Sequence, residues 1–98
     1  MSKYYLENAL QRNKEYKNSF DIPSKENINN LKPYDLVKLI FTEENNDKEI
    51  MSERMWIIIT EINGENFTGI LDNEPYYLKT IKYWDKVVFK SENIIDIY

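Results

Sequence analysis

A chain of 98 residues is the size of one domain and can bury roughly 60 to 70% of its unfolded surface, enough for a single modest core. Hydrophobic residues make up 42% and aromatics 14%, against two glycines and three prolines, which is the composition of a folded globule and not of a disordered tail. The net charge of −4 argues against a general attraction to nucleic acid or anionic membrane, while the absence of cysteine and histidine removes disulfides, thiolate metal sites and every histidine-dependent triad.

From the N-terminus, Ser2 is placed to cap a helix in which Tyr5, Leu6, Ala9, Leu10 and Tyr16 share one stripe, with Glu7, Asn8, Gln11, Arg12 and Lys14 opposite. An amphipathic helix needs an apolar surface to lie on, and the central hairpin offers one. Phe20, Asp21, Ile22 and Pro23 read as an extended connector, since the residue before proline is pushed out of the α region. Ser24 then caps a single short turn through Ile28.

From Asp35 the period becomes two: Val37, Leu39 and Phe41 alternate with Leu36, Lys38 and Ile40, which predicts a strand. Residues 42–52 read as a polar connector. Glu43, Glu44, Asp47 and Glu49, with Glu53 just beyond, make it acidic, with Lys48 as the one opposing charge. Next come two apolar runs around Asn63 and Gly64, the dipeptide suited to a type I′ turn. A turn there would pair Ile62 with Glu65, Thr60 with Phe67, Ile58 with Gly69 and Trp56 with Leu71. One face of the hairpin would then hold Trp56, Ile58, Ile62, Phe67 and Leu71, and the other Met55, Ile57, Ile59 and Ile70. Both sides are apolar, so each needs a cover.

Asp72, Asn73, Glu74 and Pro75 supply turn chemistry, and residues 76–78 are read as a brief return to the sheet. Residues 86–90 alternate again with Val87 and Phe89 inward, and residues 94–98 end the chain with Ile95 and Ile97 on one side. The longest apolar run, residues 55–59, is too short to span a bilayer, and no secretory stretch opens the chain, which together predict a soluble cytoplasmic protein.

An internal echo links two strand entries. Leu31, Lys32, Asp35 and Val37 recur at the same spacing as Ile81, Lys82, Asp85 and Val87. The pattern is similar to the Leu-Lys-x-Gly-Asp-x-Val entry turns of small SH3-like barrels, but Tyr34 and Trp84 stand where the glycine would be. The expected fold is a single α+β domain over residues 1–98. Residues 1–30 would form the amphipathic N-terminal helix and connector, and residues 31–98 a small, five-stranded, antiparallel, partly closed SH3-like barrel.

Glu53-Arg54-Met55-Trp56-Ile57, then Thr68-Gly69-Ile70-Leu71-Asp72-Asn73-Glu74-Pro75 and Ile94-Ile95-Asp96-Ile97, resemble the YegJ-like family of bacterial domains of unknown function, over roughly residues 31–98. The resemblance implies a small bacterial cytoplasmic domain and brings no catalytic or cofactor residues with it.

No P-loop, Ser-x-x-Lys dyad or calcium-loop glycine occurs, so the chain is read as neither an enzyme nor a cofactor or metal protein. The expected role is a non-catalytic module that binds another protein, in the manner of an immunity protein neutralising a basic toxin. Its contacts would be the loop aromatics Tyr34, Tyr76, Tyr77 and Trp84 and the acidic Glu43, Glu44 and Glu49. The alternative is nucleic-acid binding by Lys79, Lys82, Tyr83, Lys86 and Lys90, where basic groups flank a ring able to stack. Arg54 is read as a structural ion-pair partner at the start of the central strand.

Overall fold

The computed structural model describes residues 3–15 and 21–98. They form an α+β domain built on one curled antiparallel sheet: β1 (Tyr5–Leu6), β2 (Leu36–Glu44), β3 (Ile50–Asn63), β4 (Asn66–Leu71), β5 (Lys86–Lys90) and β6 (Ile94–Ile97). Strands β1 to β5 lie side by side in sequence order, and β6 pairs with β2. Because β1 meets β2 at residues 41–42 and β6 meets it at residues 37–39, the two short strands share one edge, and the sheet is five strands wide.

The alternation read from the sequence sets the core. Val37, Leu39 and Phe41 of β2, Met55, Ile57 and Ile59 of β3, Phe67 and Leu71 of β4, and Val87 and Phe89 of β5 all bury on the concave side. Phe67 and Phe89, directly opposite across β4 and β5, stack with ring centroids 5.2 Å apart.

The N-terminus differs from its sequence reading. Tyr5 and Leu6, expected in a helix, form β1, with Tyr5 opposite Thr42 and Leu6 opposite Phe41. An aromatic, branched pair gains ladder bonds on the open edge of β2, whereas a short isolated helix must meet its nucleation cost unaided. Helix α1 (Ala9–Glu15) therefore starts late, capped by Asn8, whose Oδ1 accepts the Gln11 N–H at 3.0 Å. Ser2 and Tyr16 lie outside the described residues. Ala9 packs on Ile40 and Ile95, with Ile22 beside them, so α1 covers the outer side of β2 and β6 and not the hairpin. Helix α2 (Lys25–Asn29) follows the expected Ser24 cap, with Ser24 Oγ accepting from the Asn27 N–H at 3.1 Å.

The central hairpin turns one residue later than Asn63 and Gly64 suggest. Asn63 faces Asn66, which leaves Gly64 and Glu65 as the central pair. Gly64 has φ 63° and Glu65 does not join it at positive φ, the signature of a type II′ turn, which requires glycine first. The register then slips again between Ile59 and Glu61. This bulge at Thr60 brings Ile62 onto the side of Ile57 and Ile59, while Trp56, Ile58 and Ile70 form the half-buried outer face. The expected grouping of Phe67 and Leu71 with Trp56 is thereby replaced: both lie with Met55, Ile57 and Ile59. Both sides of the hairpin are apolar, as its sequence indicates.

Two further segments depart from expectation. The acidic connector shrinks to residues 45–49, since β2 and β3 pair out to Glu44 opposite Ile50. Residues 76–78 form no strand and belong to a long irregular loop, residues 72–85, between β4 and β5.

Candidate interaction site

The 72–85 loop lacks secondary structure, so its backbone donors need partners from elsewhere. It leaves β4 through Asp72, whose N–H donates to Trp56 O at 2.9 Å, while Asn73 Oδ1 accepts the Trp56 N–H at 2.5 Å. Two carboxylates then hold its middle. Glu53 accepts the N–H groups of Tyr76 at 2.9 Å, of Tyr77, and of Leu78 at 2.8 Å. Glu43 accepts the N–H groups of Lys79 at 2.9 Å and Thr80 at 3.1 Å, together with the Thr80 hydroxyl at 2.6 Å. Five consecutive main-chain donors thus end on two side chains.

Glu43 and Glu53 sit where strand alternation places core residues, Glu43 continuing the row of Leu39 and Phe41, and Glu53 that of Met55 and Ile57. Burial pushes the Glu43 carboxyl up, but the Thr80 hydroxyl and the Lys79 and Thr80 amides outweigh it and hold the group below the ordinary carboxylate range. Burial likewise raises Glu53, and the three amides of residues 76–78 bring it below its usual value against the opposing charge of Glu43. Both therefore act as anions filling a concavity of N–H groups.

On this loop Leu78 and Ile81 bury in the core, and four rings point outward. Tyr76 is 79% exposed and Tyr77 51%, and their rings meet edge to face at 4.6 Å. Tyr83 and Trp84 are 48% and 56% exposed, with ring centroids 5.3 Å apart. Trp84 is held at φ 80°, in the left-handed region that costs a side chain roughly 1–2 kcal/mol. The Lys82 N–H bonds to Asp85 Oδ2 at 2.9 Å and the Trp84 N–H to Leu71 O at 2.9 Å, which fixes that conformation.

The other predicted contact residues divide. Tyr34, 84% exposed and at φ 79°, occupies the matching turn before β2. Leu36, Ile58, Ile70 and Lys86 form one cross-strand row, and β2 and β5 run in opposite directions, so Tyr34 and Trp84 project toward opposite ends of the sheet. Glu44 and Glu49 are exposed at the β2–β3 tip, on the same end as Trp84. Glu43, expected on an acidic surface, is only 4% exposed because its carboxylate is turned inward to the loop amides. Lys79, Lys82 and Tyr83 lie exposed on the 72–85 loop, and Lys86 and Lys90 at the two ends of β5. Arg54 is exposed on β3 opposite Ile40. Glu53 escaped the sequence reading, although an acid in the inward register of a strand was its visible signal.

Among the described residues, no group of acidic side chains is arranged to hold a metal ion, and no helix is long and apolar enough to cross a membrane. A bacterial family described as an uncharacterized protein conserved in bacteria (DUF2314) matches residues 3–98. The chain belongs to this family. The match takes in the N-terminal strand and α1 as well as the sheet, so the family covers more of the chain than the motifs from residue 31 onward. No curated protein and no solved structure matches the chain.

Proposed function

We propose that this member of the family is a non-catalytic module that binds another protein through the 72–85 loop. The observation that carries the reading is the exposure of Tyr76, Tyr77, Tyr83 and Trp84 on one loop whose main chain is pinned by Glu43 and Glu53. Exposed aromatics lose little entropy on contact and dominate many interfaces, and a pinned loop does not have to be ordered on binding. Strain at Trp84 points the same way, since a left-handed tryptophan persists only where its surroundings over-determine it. A small-barrel, SH3-like relationship is supported by the order of the sheet and by the 3₁₀ turn (Ser91–Asn93) that leads β5 into β6 on the edge of β2.

Glu44 and Glu49 on the same end would steer a basic partner, which keeps an immunity-type role against a basic toxin within the proposal. The test is affinity capture from the source bacterium with the native chain and with Tyr76→Ser, Tyr77→Ser, Tyr83→Ser and Trp84→Ser combined. A partner held by the native chain and lost by the variant supports the reading, and equal retention sinks it. The second reading, nucleic-acid binding, draws on Lys79, Lys82 and Tyr83 sharing this loop, with Lys86 and Lys90 on the adjoining strand. A salt-sensitive shift of single-stranded DNA or RNA would favour it.

A further inference from the structure

We propose that the open seam of the sheet, between β5 and β1, binds an extended acidic peptide segment of a partner protein as an added β-strand. The seam lies apart from the four exposed rings of the 72–85 loop, with only Lys79 and Thr80 of that loop bordering it, and it is argued from backbone direction, unmet main-chain groups and charge. Each step from β1 to β5 is antiparallel, so β1 and β5 run in the same direction across the gap. Direct closure would require a parallel pair with short strands, while one inserted strand would be antiparallel to both edges.

Strand β5 is ready for such a partner. The Leu71 N–H bonds to Asp85 O at 2.9 Å and the Ser91 N–H to Glu65 O at 3.0 Å, which sets odd-numbered residues of this strand toward β4. Lys86 and Val88 therefore aim their N–H and C=O groups at the seam, and among the described residues these have no partner, whereas the Lys90 N–H is taken by Asn93 Oδ1 at 2.8 Å. The gap is a groove of about 910 Å³, floored by Tyr4 and Phe89. Lys3, Lys79 and Lys90 line it against a single acid, Glu92, which already accepts a 3.0 Å bond from Asn8. In a chain of net charge −4 this local excess of lysine selects an acidic occupant. A second copy pairing about Val88 would set Lys86 against Lys90 in both directions, the like-charge arrangement that guards natural sheet edges. A nucleic acid would use the lysines but leave the Lys86 and Val88 amides unmet, so the peptide is the better fit.

The probe is a fluorescein-labelled octapeptide alternating glutamate and valine, followed by anisotropy at low salt and by amide exchange. Saturable binding is expected, with slowed exchange of the Lys86 and Val88 amides and loss of at least about tenfold in affinity when alternate peptide nitrogens are methylated. Val88→Pro, whose lost N–H faces the seam and serves no ladder bond, should weaken binding at least about tenfold with an unchanged urea midpoint. Lys3→Glu with Lys90→Glu, both lining the groove away from the Glu43 and Glu53 anchors, should weaken binding likewise. Absence of binding, equal binding of a control octapeptide alternating lysine and valine, indifference to methylation, displacement by oligothymidylate or protection arising only from self-association would each overturn the proposal. Trp84→Ser should leave peptide binding intact; its loss would assign the peptide to the loop and overturn the seam.

Discussion

The turns at residues 32–35 and 82–85 are nearly the same piece of backbone in two settings. In each, a lysine N–H bonds to the aspartate Oδ2 at 2.9 Å, and the aspartate N–H returns to the lysine carbonyl, at 3.1 Å in the first and 3.0 Å in the second. In each, an aromatic sits at φ 79° or 80° and bonds to the neighbouring strand, Tyr34 to Ile59 O and Trp84 to Leu71 O. What differs is the chain that leads in. The first turn follows α2, and its ring stands alone; the second ends a loop clasped by Glu43 and Glu53, and its ring joins Tyr83. The turn alone thus presents a ring at either end of the sheet, and the clasp is what gathers several rings at one end.

Breaking the clasp should separate the two regions most sharply. Glu43→Ala strands two amides and a hydroxyl in a buried place and should cost about 3 kcal/mol, read as a lowered urea midpoint, with the less buried Glu53→Ala costing about 2 kcal/mol. Limited proteolysis should then open the 72–85 loop while residues 32–35 stay protected. Acid should mimic the effect. Both carboxyls are held below their ordinary value, so their contribution is complete above the unfolded pKa of about 4.3 and is lost as pH falls through the depressed folded values. Urea midpoints measured between neutral pH and that acid range should fall less steeply in Glu43→Gln than in the native chain.

Smaller effects test how alike the turns are. Asp35→Ala and Asp85→Ala each remove one side-chain bond to a lysine amide and should cost about 1 kcal/mol apiece, equal within error if the turns are equivalent. The smallest effect should distinguish the rings. Tyr34→Gly relieves the left-handed strain at a ring with almost no packing to lose and should raise stability by up to about 1 kcal/mol. Trp84→Gly forfeits the Tyr83 contact and should gain less. Thermal melts of the pair would show whether the second ring is held by its neighbour.

Much of this was legible in the chain. The alternation in residues 36–41 and 86–90 placed both strands and their buried sides, because a half-buried strand cannot hide a period of two. The repeated lysine and aspartate located two equivalent turns without any glycine to mark them. Hairpin register was not legible: the type II′ turn at Gly64 moves the partner of Ile62 two residues along, from Glu65 to Phe67, the bulge at Thr60 takes one residue back so that Ile58 faces Ile70, and local preference decides neither. The N-terminal strand was missed because its stabilisation comes from the edge of β2, some 35 residues distant, and not from its own period. The clasp was half visible, as acids in the inward register, but their partners are main-chain amides that no side-chain pattern announces.

The clasp on residues 76–80 has a consequence for how this protein can change. It takes hold of amide hydrogens and, apart from the Thr80 hydroxyl, of nothing that distinguishes one amino acid from another. Proline is the residue it forbids at those five positions. The side chains of Tyr76 and Tyr77 are therefore released from any duty to the architecture, and substitution there can retune recognition while the scaffold beneath stays as it is.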